Sequence, residues 1–182
     1  APELGAARAA IDRILEGHEP HPALAVDRNW TLLSANKAAG VLMAGVADHL
    51  VAGEINVLRL SLHPEGLADR ILNFREWRAH ILARLVHEID VSAAPRLAAL
   101  LDELKSYPTP PHAISTRAGP AAEGGIAVPL TLASEEGPLS FISTTTVFGT
   151  AVDVTLSEVT IEAFFPANTE TSEAMVKLTA QL

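Results

Sequence analysis

Two side chains on one predicted helix, Trp77 and Arg84, have the spacing of a ligand-binding pair. They are seven residues apart, so at about 100° per residue they point within about 20° of each other. Ile81 lies between them in the apolar stripe of the same helix. An arginine at the edge of such a stripe can offer its planar donor fork to a carboxylate while the tryptophan lines an apolar chain. The arginine could equally cover the core with its stem and keep its head in water.

Three further polar side chains are candidates for contact with a ligand. Arg59 and His63 belong to the stretch "NVLRLSLHP" and could form the polar mouth of a pocket, or they could satisfy nearby carbonyls in a structural segment. Asn36 could present its amide to a ligand. It is also a good N-cap for the helix that follows it, and we favour this second interpretation.

A hydroxyl cluster, "STTT", lies in a predicted strand at 138–148. Alternate residues of a strand face opposite sides, so Ser143 and Thr145 share a face with Phe141, while Thr144 shares the other face with Ile142. Hydroxyls on the pocket side could bind a ligand head group. The pattern does not say which face points inward, and we take Phe141 and Thr144 as candidate ligand contacts.

Metal and enzyme sites are not expected. His18 and His21 are three residues apart, but no cysteine or acidic cluster supplies further ligands, and Pro20 prevents a regular helical pair. His87-Glu88 lacks the second histidine of a zinc-protease motif. The sequence has no Gly-x-Ser-x-Gly and no phosphate-binding glycine loop, so we expect no cofactor and no catalytic activity.

The composition indicates a single globular domain that does not itself bind DNA. The 182 residues include 13 Lys and Arg against 22 Asp and Glu, which gives a net charge of −9 without a basic stripe. No apolar run reaches the ~18 residues of a membrane span. The absence of cysteine fits the cytoplasm. The missing initiating Met suggests a fragment whose remaining part precedes Ala1.

The order of the predicted elements indicates the fold class. The elements are a helix at 3–16, a hairpin of strands 23–26 and 30–35, a helix after Asn36, a loop-like stretch "AGVADHLVAGE", a short apolar segment, helices after Asn73 and from Pro95, a loop at 106–125, strands at 126–133, 138–148 and 158–165, and a final helix. This order predicts an α+β, PAS-like domain: a five-stranded antiparallel sheet with helices covering one face. An apolar pocket fits naturally between the two layers.

Four segments carry a resemblance to a known family. The segments are "HPALAVDRNWTLLSANKAA" (21–39), "NVLRLSLHPEGLADRILNFREWRAHILARL" (56–85), "LLDELKSYP" (100–108) and "LSFISTTTVFGTAVDVTLSEVTIEAFFPAN" (139–168). They resemble the ligand-binding domain of MmyB-like transcription regulators, and the similarity extends over about residues 6–180. The turn "FGT…DVTL", from Phe148 to Leu156, is similar to one branch of that family.

The resemblance implies a bacterial regulator with an Xre-type helix-turn-helix domain at its N-terminus. Residues 1–20 would be the connector from that missing DNA-binding domain, and residues 21–182 would sense a small apolar ligand such as a fatty acid. Arg84 would then meet the fatty carboxylate. The alternative is a dimerisation module without a ligand, and we expect a homodimer in either case. An enzyme acting on an acyl ligand is a third and weaker hypothesis.

Overall fold

Five antiparallel strands form one sheet with the order β2-β1-β5-β4-β3. A computed structural model describes the backbone of residues 2–114, 127–148 and 157–182. The strands are β1 (Ala23–Val26), β2 (Leu32–Ala35), β3 (Leu130–Leu132), β4 (Leu139–Val147) and β5 (Thr160–Pro166). The α+β class and the five-stranded antiparallel sheet predicted from the sequence are confirmed.

The helices occur where the sequence predicts them, with three short additions. The predicted loop-like stretch contains α3 (Asp48–Val51), the short apolar segment after it forms α4 (Val57–Leu62), and the stretch predicted as a loop at 106–125 contains α7 (Pro111–Ile114). Asn56 explains α4, because its side chain accepts hydrogen bonds from the backbone N–H groups of Leu58 and Arg59. The helices are α1 (Pro2–Glu16), α2 (Lys37–Met43), α3 (Asp48–Val51), α4 (Val57–Leu62), α5 (Phe74–Ser92), α6 (Pro95–Ser106), α7 (Pro111–Ile114) and α8 (Thr169–Thr179), with a 3₁₀ turn at Ala68–Arg70.

Helices lie on both faces of the sheet. The main core lies between one face and the helices α2 to α8, and it includes buried Phe74, Leu85 and Phe141. On the other face, Ile11 and Leu15 of α1 pack against small and branched side chains of β1 and β5. The predicted connector helix, α1, therefore packs against the sheet. The helices that were expected to cover one face of the sheet are those of the main core, and α1 covers part of the other face.

The turn between β1 and β2 is closed by Asp27. Its carboxylate accepts hydrogen bonds from the backbone N–H groups of Asn29 and Thr31. Trp30, which ends the turn, has a φ of 66°, in the left-handed region that a bulky residue rarely occupies. This conformation accompanies the burial of the indole, which is 5% exposed. The turn therefore places a large aromatic ring in the core rather than in solvent.

Asn36 joins four segments through its buried amide. Its Oδ1 accepts from the N–H groups of Ala23 and Ala39, at 3.1 and 2.9 Å. Its Nδ2 donates to the carbonyls of Leu15 and His21, at 3.1 and 2.8 Å. The predicted N-cap is confirmed. The same amide also ties the end of α1 to the start of β1.

Some predicted features lie outside the described residues. These are most of the loop at 106–125 beyond α7 and the "FGT…DVTL" turn after Phe148. Within the part of the chain that the structure describes, no helix has the length and apolarity that a membrane span requires.

Replacing Asn36 by alanine should destabilise the fold more than removal of an ordinary cap. Asn36→Ala leaves buried backbone groups without partners, so we expect a loss of about 3 kcal/mol in the free energy of unfolding. Asn168→Ala removes the exposed N-cap of α8. The Asn168 side chain accepts from the backbone N–H of Thr171, so its loss should lower the free energy of unfolding by about 1 kcal/mol. Urea unfolding monitored by circular dichroism measures both. Equal losses would contradict the structural role of Asn36.

Candidate functional site

An apolar cavity of about 90 Å³ lies between the sheet and helices α4 and α5. Aliphatic and aromatic side chains form most of its wall, and among the residues that the structure describes four polar side chains reach it. Its position matches the pocket expected for this fold. The apolar wall is formed by Leu24, Trp30, Met43, Val57, Leu58, Leu60, Leu67, Trp77, Ile81, Leu130 and Phe164, and the polar side chains are Ser61, Arg84, Ser143 and Glu162.

A buried ion pair closes one end of this cavity. Glu162 of β5 is 4% exposed, and its two carboxylate oxygens accept from Nη2 and Nη1 of Arg84 at 2.7 and 3.2 Å. The Thr145 hydroxyl lies 3.1 Å from both of these oxygens. A buried carboxylate is tolerated only when it is paired and hydrogen-bonded. Arg84 therefore neutralises a charge that the sheet itself carries.

Arg84 also contacts the aromatic wall. Its guanidinium carbon lies 4.5 Å from the centroid of the Trp30 ring, which is the geometry of a cation–π interaction. Glu88, one turn further along α5, accepts a hydrogen bond of 2.7 Å from the Trp30 indole N–H. Its other oxygen is 3.7 Å from Nε of Arg84. These contacts account for the left-handed backbone of Trp30, because they hold its indole between α5 and the sheet.

Trp77 also lines the cavity. Its indole N–H donates to the Ser61 hydroxyl at 3.0 Å, so the ring joins α5 to α4. The ring of His80 lies against Trp77, with centroids 5.4 Å apart. Burial, and then the nearby charge of Arg84, lowers the pKa of His80, which keeps this imidazole neutral at neutral pH. Trp77, Ile81 and Arg84 are thus brought together at the cavity.

Arg59, by contrast, lies in a separate polar cleft of about 200 Å³. Its guanidinium donates two hydrogen bonds to Glu103 of α6, at 2.6 and 2.8 Å. These bonds raise the pKa of Arg59 and lower that of Glu103. Tyr107 also donates to Glu103, and burial is the main cause of its raised pKa. Arg59 therefore links α4 to α6 and does not line the apolar cavity.

His63 lies at the end of α4, in a small cluster with His49 and Glu65. Ligand atoms of these three side chains lie within 4.8 Å of one another. The His63 Nδ1 accepts from the Glu65 backbone N–H at 3.0 Å, and His49 Nε2 lies 2.9 Å from the Glu65 carboxylate. Two imidazoles and a carboxylate are ligands that suit zinc, so this exposed cluster could hold a divalent cation. Neither His18 with His21 nor His87-Glu88, the two pairs considered from the sequence, belongs to this cluster.

The strand register decides which hydroxyls face the cavity. Ser143 pairs with Phe164 and Thr145 with Glu162, so these residues share the cavity face. Thr144 pairs with Ala163, which packs on the α1 side of the sheet. Thr144 therefore lies on the opposite face from the cavity, which corrects its place among the candidates, and Ser143 takes that position.

The two remaining candidates serve the core. Phe141 is fully buried, and its ring meets the edge of the Phe164 ring at a centroid distance of 6.3 Å. Phe164 lines the cavity, so Phe141 supports the wall from behind without forming it. Within the described part of the chain, the Asn36 side chain bonds to backbone groups alone.

Comparison with known proteins decides the family. A family model described as the MmyB-like transcription regulator ligand binding domain matches residues 7–178. The chain belongs to this family. The family is one of regulatory domains and not of enzymes. No curated protein sequence matches the chain significantly.

In this MmyB-like domain, sequence reasoning missed two residues that shape the site. Glu162 is an acid in the otherwise apolar strand "TIEAFF", and period-2 alternation places it on the same face as Phe164. An inward acid in a central strand demands a cation, which could have pointed to Arg84. Trp30 carried no comparable signal, because its inward position depends on a left-handed turn.

Removing Arg84 should strongly destabilise the MmyB-like domain. Arg84→Met leaves the Glu162 carboxylate buried and unpaired, so we expect a loss of about 3–5 kcal/mol in the free energy of unfolding. Adding Glu162→Gln to this variant should restore most of the loss, because the uncompensated charge is gone. The more exposed pair of Arg59 and Glu103 is the control, since Arg59→Met should cost about 1 kcal/mol or less.

Chemical denaturation of the single and double variants at pH 7 measures these differences. A double variant no more stable than Arg84→Met alone would show that the charge of Glu162 is not what Arg84 compensates.

Proposed function

We propose that this chain is the ligand-sensing domain of a bacterial helix-turn-helix transcription regulator, and that it binds a small apolar ligand such as a fatty acid in the cavity between sheet and helices. Contact with DNA would come from a helix-turn-helix domain that precedes α1. The observation that carries the proposal is the nearly wholly apolar cavity walled by α4, α5 and the sheet. An apolar wall with few polar groups is typical of small-molecule sites.

The volume of the cavity limits how a ligand can bind. Typical ligand pockets measure about 300–1,000 Å³, whereas this cavity measures about 90 Å³. A long acyl chain therefore fits only if part of the wall moves. Met43 is well suited to this movement, because its unbranched side chain has three rotatable bonds and lies at the end of α2. Binding would then be coupled to a change in the helical layer.

The position of α1 supports transmission of that change. Ile11 and Leu15 pack on the sheet face opposite the cavity, and Asp12 accepts a hydrogen bond of 2.6 Å from Ser34 of β2. The Asn36 amide connects the last turn of α1 with the first turn of α2, whose end lines the cavity. A ligand that favours one position of α2 could in this way favour one position of α1, which is the coupling that a regulator requires.

Tryptophan fluorescence offers a direct test. The chain has two tryptophans, Trp30 and Trp77, and both line the cavity. Titration of the delipidated domain with dodecanoate should change the emission and saturate near one equivalent. Ser143→Leu places extra carbons in the cavity and should weaken binding by about tenfold or more. Thr144→Leu, on the opposite face of the same strand, is the matched control and should bind normally.

Equal affinity of dodecanoate for Ser143→Leu and the parent protein would place the ligand elsewhere. Mass spectrometry of an organic-solvent extract from the purified domain identifies the natural occupant. A stoichiometric apolar compound would support a sensor, and an extract without one would favour dimerisation alone.

A homodimer is our second proposal, alone or together with ligand sensing. Ile142 and Phe165 are cross-strand neighbours on the α1 face of the sheet, and they remain 42% and 45% exposed. Apolar side chains of this size at the edge of a helix-covered face are suited to a symmetric contact. Analytical ultracentrifugation before and after delipidation, with Ile142→Lys as the disrupting variant, distinguishes a ligand-dependent dimer from a permanent one.

A further inference from the structure

An open groove lies on the outer side of α2, next to the cavity. It has a volume of about 1120 Å³ and runs between α2, the turn after β3 and the C-terminal helix α8. Its floor is apolar, with Val41, Leu132 and Leu178 among the lining residues. Its charged side chains are Lys37, Arg70 and Glu135.

The groove and the cavity are separated by a thin partition. Leu42 lines the groove, while Met43, the next residue of α2, lines the cavity. On the sheet, Leu132 lines the groove and Leu130 lines the cavity. The two spaces therefore lie on either side of the last turn of α2. A rearrangement of that turn would join them into one channel of sufficient volume for an acyl chain.

Arg70 lies at this partition. It is half-buried, and its Nη2 donates to the carbonyl oxygen of Leu42 at 2.7 Å. Within the described residues Arg70 has no ion-pair partner, and burial alone lowers its pKa. A half-buried guanidinium bound only to a neutral carbonyl gains from an anion, because charge-assisted hydrogen bonds are stronger than those to a neutral acceptor.

We propose that Arg70 binds the anionic head of the ligand, with the apolar tail reaching past Leu42 and Met43 into the cavity. This inference rests on the proposed function and adds the residue that receives the head group, Arg70 rather than Arg84. The guanidinium has five N–H donors and gives one of them to the Leu42 carbonyl, so the remaining donors can hold a carboxylate beside the end of α2.

Arg84 is the competing candidate for the head group, and its surroundings argue against it. Its guanidinium already neutralises Glu162, and Glu88 lies near the same group. A ligand carboxylate in that position would place two buried negative charges beside one cation, and one of the two would remain uncompensated. Because Arg84 and Glu162 already neutralise each other, the region around them accommodates an apolar or neutral part of a ligand better than an anion.

The test compares dodecanoate with its neutral methyl ester. We expect the parent domain to bind the acid more tightly than the ester. Arg70→Met keeps an apolar stem and removes the charge, so it should weaken acid binding at least about tenfold and change ester binding by about twofold or less. Arg70→Lys should retain most of the acid preference. Arg78→Met is the matched control, because Arg78 also donates to a backbone carbonyl but lies on the outer side of α5.

A second variant separates Arg70 from Arg84. The double variant Arg84→Met with Glu162→Gln carries no buried charge, and we expect it to keep the preference for acid over ester. Loss of that preference in the double variant, or its survival in Arg70→Met, would overturn the assignment of Arg70. If the folded parent domain binds neither acid nor ester, the proposed function fails as well. Circular dichroism confirms folding of each variant.

Discussion

The buried carboxylate of Glu162 determines the arrangement of the layers around the cavity. β5 is the central strand of the sheet, so a charge on its inner face has no access to bulk water. A cation must come from the helical layer, and Arg84 of α5 supplies it across 78 residues of sequence. The pair fixes the position of α5 relative to the sheet. Trp30 and Glu88 then pack around the same guanidinium, and the cavity is the space that remains between this polar cluster and α4.

A second polar centre connects the two faces of the sheet. Asn36 lies where the hairpin leads into α2, and its amide reaches the end of α1 on the opposite side. The ion pair thus sets the distance between sheet and helices, while the amide sets the position of α1 and α2 relative to the hairpin. Both are buried, and neither tolerates loss of a partner. α2 and β3 both contact the cavity and the groove.

The sequence predicted well the features that depend on local periodicity. Trp77, Ile81 and Arg84 share a helix, so their common orientation followed from residue spacing alone. Asn36 as a cap was equally local. The partner of Arg84 was not predicted, because an ion pair between α5 and β5 depends on the fold as a whole. Strand alternation grouped Ser143 with Thr145 and set Thr144 on the other face, but it could not show which face points inward. The pairing with β5 shows that Thr144 lies on the α1 side.

The strand order also has a consequence for the way the chain folds. β5 is the last strand in the sequence, yet it lies between β1 and β4. The partners of Asn36 are at most 21 residues away, so α1, the hairpin and α2 can associate early. The sheet cannot be completed before β5 has been synthesised. Until then β1 presents an unpaired edge and Arg84 lacks its acid. A chain that ends before residue 160 should therefore keep an open strand edge and be prone to aggregation.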